Sequence, residues 1–483
     1  MTIRTRIAPS PTGIAHLGTA YTAMRNWALA RQQGGKFLIR IEDTDRERFV
    51  EGAVQVIFDA LKWLGIDHDE GPDVGGPHAP YTQSERLAIY VEHANMLIKR
   101  GKAYYCFCTK ERLDEVRQSQ QVNKEPLRYD KHCRSLDEKQ AQALVDSGKS
   151  YVIRLKVPET GVTVCHDTAR GEVSWDNAGI DDQVLLKSDG YPTYHLGVVV
   201  DDYLMGITHV IRGEEWLSSS PKHILLYHAF GWELPSFTHL PVIRNQDHSK
   251  MSKRKNDVSI LSHRDRGYLP EAIMNFMALM GWSHPEKKEV FPMTDFVKYF
   301  TLERVTMTAP VYDLVKLNWL NGQYIRMLPD DELEERLLAP SGAKGEVGFV
   351  PSDCPASMVK SLIPLIRERL VTLNDFEQLT KFFYRDIVVD QDLLHKKSNL
   401  EQVKTQLAIS VKTIEQLSDS EYTPTRLEQE FRKLCQDSDW KPSQFFMMLR
   451  IAVTGERATP PLFDTMAVLG KDKVISRLKN TGV

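Results

Sequence analysis

Two short apolar runs with one amphipathic helix between them constrain the start of this chain more than any other feature. Arg4 to Ala8 alternates in polarity and is β-branched at Ile7, the pattern of a strand. Pro9 to Gly13 is a turn. Thr19 to Gln33 then places Met24, Trp27, Ala28 and the stem of Arg31 at helical spacing, and Gly34-Gly35 halts it. Phe37 to Glu42 is the next strand. A strand, a helix and a strand joined this tightly cross over with a right hand, and the strands must be parallel. An open parallel sheet follows, and such sheets bind ligands beyond the carboxyl ends of their strands.

The pattern continues in the same idiom. Val50 to Leu64 reads as a helix stopped by Gly65, the Gly- and Pro-rich run Asp69 to Pro80 as a loop, and Ser84 to Arg100 as a helix. Lys102 to Thr109 reads as a strand that opens a different module. Tyr151 to Val157 alternates strictly, as do parts of Val162–Trp175, which is antiparallel β patterning. Lys102 to about Ser188 is therefore expected to interrupt the α/β domain as an α+β insertion. Tyr194 to Asp201 is expected to be a buried apolar strand, Ile207 to Arg212 another, and Ser220 to Phe230 a helix. Helices follow at Pro270–Gly281 and Thr294–Tyr299. After about Arg326 almost no β signal remains, so the last third is expected to be all-α.

A chain of 483 residues is long for one domain, since domains run to about 100–200 residues. The division expected is 1–101 and 189–240 for the two halves of the α/β domain and 102–188 for the insertion. A connecting region at 241–326 and a helical region at 327–483 complete it. No run approaches the roughly 18 apolar residues of a membrane span. The first residues enter a strand at once, without an apolar leader or an Arg/Ser-rich transit segment, and this favours the cytosol. The net charge is −3, which argues against a protein that coats nucleic acid nonspecifically. One tract departs from that balance: Pro241 to Pro270 holds seven Lys and Arg against three Asp.

Inside that tract lies Lys250-Met251-Ser252-Lys253-Arg254, and near the start of the chain lies His16-Leu17-Gly18-Thr19. Either string alone is weak. In this order, and with Pro9-Ser10-Pro11-Thr12-Gly13 just before the first, they read as two phosphate-handling halves of one adenylate-forming site. His16 to Thr19 falls where the first strand gives way to the first helix, and a helix N-terminus favours anions. His16 can donate to a phosphate, and Gly18 permits close approach. Lys250, Lys253 and Arg254 supply cations for charge that develops as pyrophosphate leaves. No GxxxxGK[ST] string is present, which disfavours a P-loop.

Six cysteines occur, and three of them, Cys106, Cys108 and Cys133, fall within 28 positions. Two close thiolates and a distant third can build a tetrahedral zinc site of structural kind. His132, beside Cys133, is one candidate for a fourth ligand.

These strings resemble the class I aminoacyl-tRNA synthetases, and specifically the bacterial-type glutamyl-tRNA synthetases. The resemblance rests on Arg6 to Gly13, His16 to Thr19, Arg40-Ile41-Glu42-Asp43-Thr44-Asp45 and Gln83-Ser84-Glu85-Arg86. It continues through Asp189 to Tyr194, Ile211 to Trp216 and Lys250 to Lys255, with weaker similarity to the end of the chain. Thr19 stands where the family's signature often has a second histidine, and it keeps a hydroxyl donor. The resemblance implies a Rossmann-like catalytic domain, an acceptor-binding insertion, and a helical anticodon-binding region. It implies that L-glutamate and ATP with Mg2+ give glutamyl-adenylate, and that the glutamyl group passes to the terminal ribose of tRNA(Glu). It also implies a monomer that binds tRNA before it activates the amino acid.

By position, the resemblance makes Arg6 and Arg212 ligands of the substrate's side-chain carboxylate, and guanidinium suits carboxylate bidentately. It makes Glu42 the holder of the α-amino group, Tyr194 a hydroxyl that reaches the substrate, and Ala8 and Ser10 pocket walls. Arg367 and Arg369 match positions that read the last anticodon base. Relatives carry zinc through Cys-x-Cys followed by Cys-x-His, but here Arg134 and Ser135 follow Cys133. The Tyr129-x3-Cys133 spacing instead resembles glutamyl-queuosine synthetases, which use tyrosine as a ligand. Three other readings compete: a ligase acting on a modified base of tRNA(Asp), a catalytically inactive RNA-binding paralogue, and a nucleotidyltransferase without RNA. The long helical region after Arg326 speaks against the first, intact Lys253, His16, Glu42 and Arg212 against the second, and the insertion against the third.

Overall fold

The computed structural model describes residues 2–249, 251, 258–339, 348–395 and 399–482. Strand β1 (Arg4–Ile7), helix α1 (Leu17–Gln32) and strand β2 (Lys36–Ile39) form the expected crossover, and the strands pair in parallel from Arg4 opposite Lys36 to Ile7 opposite Ile39. Phe37, Leu38 and Ile39 are fully buried, which is why this strand reads as a continuous apolar run. Helix α2 (Ala53–Trp63) follows, then a turn of 3-10 helix at Gln83–Arg86 that leads into α3 (Leu87–Lys99).

Next come β3 (Ala103–Cys106), α4 (Lys110–Val122), α5 (Glu138–Asp146), β4 (Val152–Leu155), β5 (Val162–Asp167), β6 (Gly171–Asp176) and β7 (Val184–Leu186). Strands β3, β4 and β7 form an antiparallel sheet. The β5–β6 hairpin is also antiparallel, as the alternation at Val162–Trp175 anticipates. It does not stay apart from the α/β core, because β5 pairs in parallel with a later strand at Asp167 opposite Phe237.

One expectation fails here. Tyr194 to Asp201 is not a strand but the start of helix α6 (Tyr194–Leu204). Seven consecutive residues, Leu196 to Asp202, are buried, so no polar face marks the helical period. A short apolar run rich in valine cannot be assigned by periodicity when both sides face protein. The chain then forms β8 (His209–Gly213), α7 (Ser220–Phe230) and β9 (Ser236–Leu240). β8 and β9 are parallel, and the Thr208 N–H donates to the Arg4 carbonyl at 3.0 Å, which brings the start of β8 beside β1.

The chain divides into two compact units. One comprises Met1–Ser262 with Ile273–Leu314, and the other His263–Ala272 with Val315–Val483. The second is helical, and after β9 the described residues contain no strand. Its helices are amphipathic: Leu427, Phe431 and Cys435 recur every four residues along Pro424–Asp437 and face a core that includes Phe376, Phe383 and Phe445. No described helix is long and apolar enough to cross a membrane.

Candidate active site

The carboxyl ends of β1 and β8 and the N-terminus of α1 open on one cleft of about 820 Å3. Arg6, Ala8, Ser10, His16, Gly18, Thr19, Glu42, Tyr194 and Arg212 all line it. Met251 lines it too, but Lys250, Lys253 and Arg254 lie outside the described residues.

His16 is the N-cap of α1. Its Nδ1 accepts from the Gly18 N–H at 2.9 Å, so the proton of the neutral ring resides on Nε2. Gly18 has a local reason to lack a side chain: a Cβ there would stand 3.2 Å from His16 Nδ1 and displace the ring. The absence of a side chain serves the cap.

The two arginines that line the cleft are held in different ways. Arg6 is 3% exposed, and its Nε and Nη2 donate to the two carboxylate oxygens of Asp202 at 3.0 and 3.1 Å. Asp202 also accepts from Arg40 Nη1 at 2.7 Å, and Arg40 Nη2 reaches Glu42 Oε1 at 3.0 Å. Arg86 and Tyr90 hold Asp201 at 2.8 and 2.7 Å. This buried array gathers charges from β1, the end of β2, the turn before α3 and α6, with a hydroxyl from α3. The sequence motifs give a role to Arg6 and Glu42 alone, contain Arg40 and Arg86 without one, and do not single out Asp202, whose signal is an Asp-Asp pair closing an apolar run.

Glu42 feels opposing forces. Burial drives its carboxyl up, Arg40 and Arg6 draw it down, and burial prevails at about 6. Asp202, between two guanidinium groups, is held below the usual carboxylate range despite its own burial.

Among the described residues, Arg212 meets no carboxylate directly. Its Nε donates to His239 Nε2 at 2.9 Å, Nη1 to His223 Nδ1 at 3.0 Å and Nη2 to Ser220 Oγ at 2.9 Å. The Tyr194 hydroxyl lies 3.4 Å from Nη1, and the Tyr194 ring packs on Trp216 with centroids 4.2 Å apart. Burial pushes Tyr194 up to about 12, so it stays a hydroxyl. Burial likewise pushes His195 down to about 3, and lowers His223 and His239.

The cysteine cluster assembles away from this cleft. The sulfurs of Cys106, Cys108 and Cys133 lie within 4.8 Å of one another and could hold a metal ion. Cys108 and Cys133 are 3.6 Å apart, near the edge of about 3.8 Å expected between thiolates in a tetrahedral zinc site. The Tyr129 hydroxyl is 3.4 Å from Cys106 Sγ and 3.6 Å from Cys108 Sγ. Hydrogen bonding from Cys133 pushes the Cys106 thiol down to about 4, while the same contact pushes Cys133 up. His132 is exposed and stands outside the group of sulfurs.

In the helical unit, Arg367 donates to the carbonyls of Arg326 and Leu328 and pairs with Asp330. Arg369 is exposed.

Comparison with known proteins gives the same frame. A family model described as tRNA synthetases class I (E and Q), catalytic domain, matches residues 2–319, and one described as an anticodon binding domain matches 334–481. A glutamate–tRNA ligase of Fusobacterium nucleatum is 44% identical over 99% of this chain and 97% of its own. One from Dehalococcoides mccartyi is 45% identical with the same coverage. Among solved structures, a glutamate tRNA ligase from Elizabethkingia meningosepticum in complex with its amino acid superposes with a TM-score of 0.89. That protein is 33% identical and is matched over 100% of this chain and 99% of its own. The α/β class with a helical C-terminal region is borne out, and so is the family read from the motifs. The chain belongs to the glutamate–tRNA ligase family of class I tRNA synthetases.

Proposed function

We propose that this protein activates L-glutamate with ATP and Mg2+ and transfers it to the 3′ end of tRNA(Glu). A substrate carboxylate oxygen attacks the α-phosphorus of ATP, and pyrophosphate leaves. A ribose hydroxyl of the tRNA then attacks the carbonyl carbon, and AMP leaves. The observation that carries this reading is the meeting, in one cleft, of two guanidinium groups, a buried carboxylate and a helix N-terminus capped by histidine. Arg6 and Arg212 take the side-chain carboxylate, Glu42 the ammonium group, and Tyr194 a further hydrogen bond, with Ala8 and Ser10 as walls. His16 offers its Nε2–H to the phosphates beside Gly18 and Thr19. Lys250, Lys253 and Arg254 neutralise the leaving pyrophosphate, a role read from the sequence alone. The protein supplies positioning and charge and needs no covalent intermediate of its own.

In the same reading, residues 1–101 and 189–240 form the catalytic domain, 102–188 contact the acceptor end, 241–326 contact the stem, and 327–483 bind the anticodon. Arg367 and Arg369 read its last base. Cys106, Cys108, Cys133 and Tyr129 hold a structural zinc ion. The sulfur spacing and the hydroxyl beside two of the thiols support that ligand set, and the outward position of His132 argues against the alternative.

ATP–pyrophosphate exchange tests the assignment. Exchange should require glutamate and should depend on tRNA(Glu). Exchange with glutamine but not glutamate overturns the substrate, and strong exchange without tRNA overturns the coupling.

A further inference from the structure

Arginine has donors only, so every ring nitrogen that faces Arg212 must accept. His239 Nε2 takes the Arg212 Nε–H, and the other nitrogen, Nδ1, lies 2.7 Å from Asp167 Oδ2. His239 therefore carries its proton on Nδ1, pointed at Asp167. His223 Nδ1 takes an Nη1–H, so its proton is on Nε2, 3.1 Å from His195 Nδ1. Asp167, His239 and His223 are all 3% exposed or less, and this geometry is sealed from water.

Both imidazoles are thus fixed as neutral acceptors. Arg6 contrasts with this, because its two donors already close on the carboxylate of Asp202. A substrate carboxylate entering the pocket finds the charge of Arg6 matched, while the described residues in direct contact with Arg212 present only neutral atoms to it. A carboxamide in the same place leaves a buried guanidinium uncompensated.

We propose that His239, oriented by Asp167, and His223 are positioning residues that hold Arg212 through neutral acceptors, and that this keeps its charge available to select a carboxylate side chain over a carboxamide. The inference rests on the reading of the substrate as glutamate. Charge selectivity then resides in the nature of the groups behind Arg212 as much as in Arg212 itself. An anion substituted behind it must weaken glutamate more than glutamine.

The test is ATP–pyrophosphate exchange by the full chain with tRNA(Glu), with glutamate and glutamine as separate substrates. Parent activity with glutamate checks the substrate reading independently of the variants. His223→Asp places a carboxylate against Nη1, and it should raise KM for glutamate about 100-fold with a smaller change in kcat, and narrow the glutamate-over-glutamine preference by a similar factor. His223→Asn keeps a neutral acceptor and should retain the preference even where it costs activity. Asp167→Asn lets an amide donate to His239 Nδ1, which turns the ring's proton toward Arg212 Nε. KM for glutamate should then rise about tenfold and the preference should narrow. Equal losses in His223→Asp and His223→Asn with an unchanged preference overturn the proposal. If thermal melts show His223→Asp unfolded, an unchanged KM and preference in Asp167→Asn overturn it alone.

Discussion

Glu42 makes the sharpest prediction, because its burial bears both on its pKa and on its proposed role. Its carboxylate lies 3.0 Å from Arg40 Nη2, yet burial outweighs this attraction and its pKa stands at about 6. Such a group is half ionised at about pH 6 and about one-tenth ionised at pH 5. An ammonium group needs the ionised form, so kcat/KM for glutamate should fall about tenfold from its plateau above pH 7 down to pH 5. Burial lowers the histidines around Arg212, and the Glu42→Gln profile separates the titration of Glu42 from theirs. Glu42→Gln removes the charge without changing the shape. It should cost about 3 kcal/mol, on the order of 150-fold in kcat/KM, and flatten the profile. Stability should move in the opposite sense. The folded pKa lies above the ordinary glutamate value of 4.5, so the folded chain holds this proton more tightly than the unfolded chain does. That stabilisation is fully present below about pH 4.5 and is lost as the pH rises through 6, a change of about 2 kcal/mol. Glu42→Gln escapes the loss and should gain on the parent by that amount between those limits in urea denaturation. A parent profile flat from pH 5 to 8, or an inflection near 6 that survives in Glu42→Gln, refutes the reasoning.

Three further outcomes are expected. Asp202→Asn leaves Arg6 and Arg40 facing a neutral amide in a buried site, and should lower the stability of the catalytic unit by about 3 kcal/mol; a change below about 0.5 kcal/mol in urea denaturation contradicts the account of the charge array. Elemental analysis of the purified protein should find zinc in equal amount to chain, and Cys108→Ser should lose most of it; a metal-free parent removes the zinc reading. Lys253→Ala should slow glutamate activation by about 100-fold or more while changing tRNA affinity by less than about threefold, measured by exchange and by filter binding; equal effects on both would give the KMSKR string a purely RNA-binding role.

Much of the architecture is legible in the sequence. Helix α7 was readable to its ends, because Pro221 and Gly231 mark its start and stop in the local chemistry of the backbone. The helical last third was readable because its helices keep one polar face. Helix α6 was not, since burial on all sides erases the period that distinguishes a helix from a strand. The cleft divides in the same way. Arg6, Glu42, Tyr194 and Arg212 were found by motif position, but the groups that hold them were not. Asp202 meets Arg6 across 196 residues, and Asp167 meets His239 across 72. Neither histidine behind Arg212 carries a local signal, because a buried acceptor and a surface imidazole look alike in sequence.

Local sequence carries a parallel α/β unit, the His16–Thr19 and Lys250–Arg254 strings in order, a thiol cluster and a helical tail. Each is written in local spacing, which acts through backbone geometry and side-chain periodicity. The tertiary structure alone decided that Arg6 is neutralised by Asp202 while Arg212 rests on neutral nitrogen and oxygen, and that Tyr129 rather than His132 faces the sulfurs. Those differences set charge, proton position and ligand identity. They arise only when distant segments are buried together, because burial fixes which partner each polar group must find.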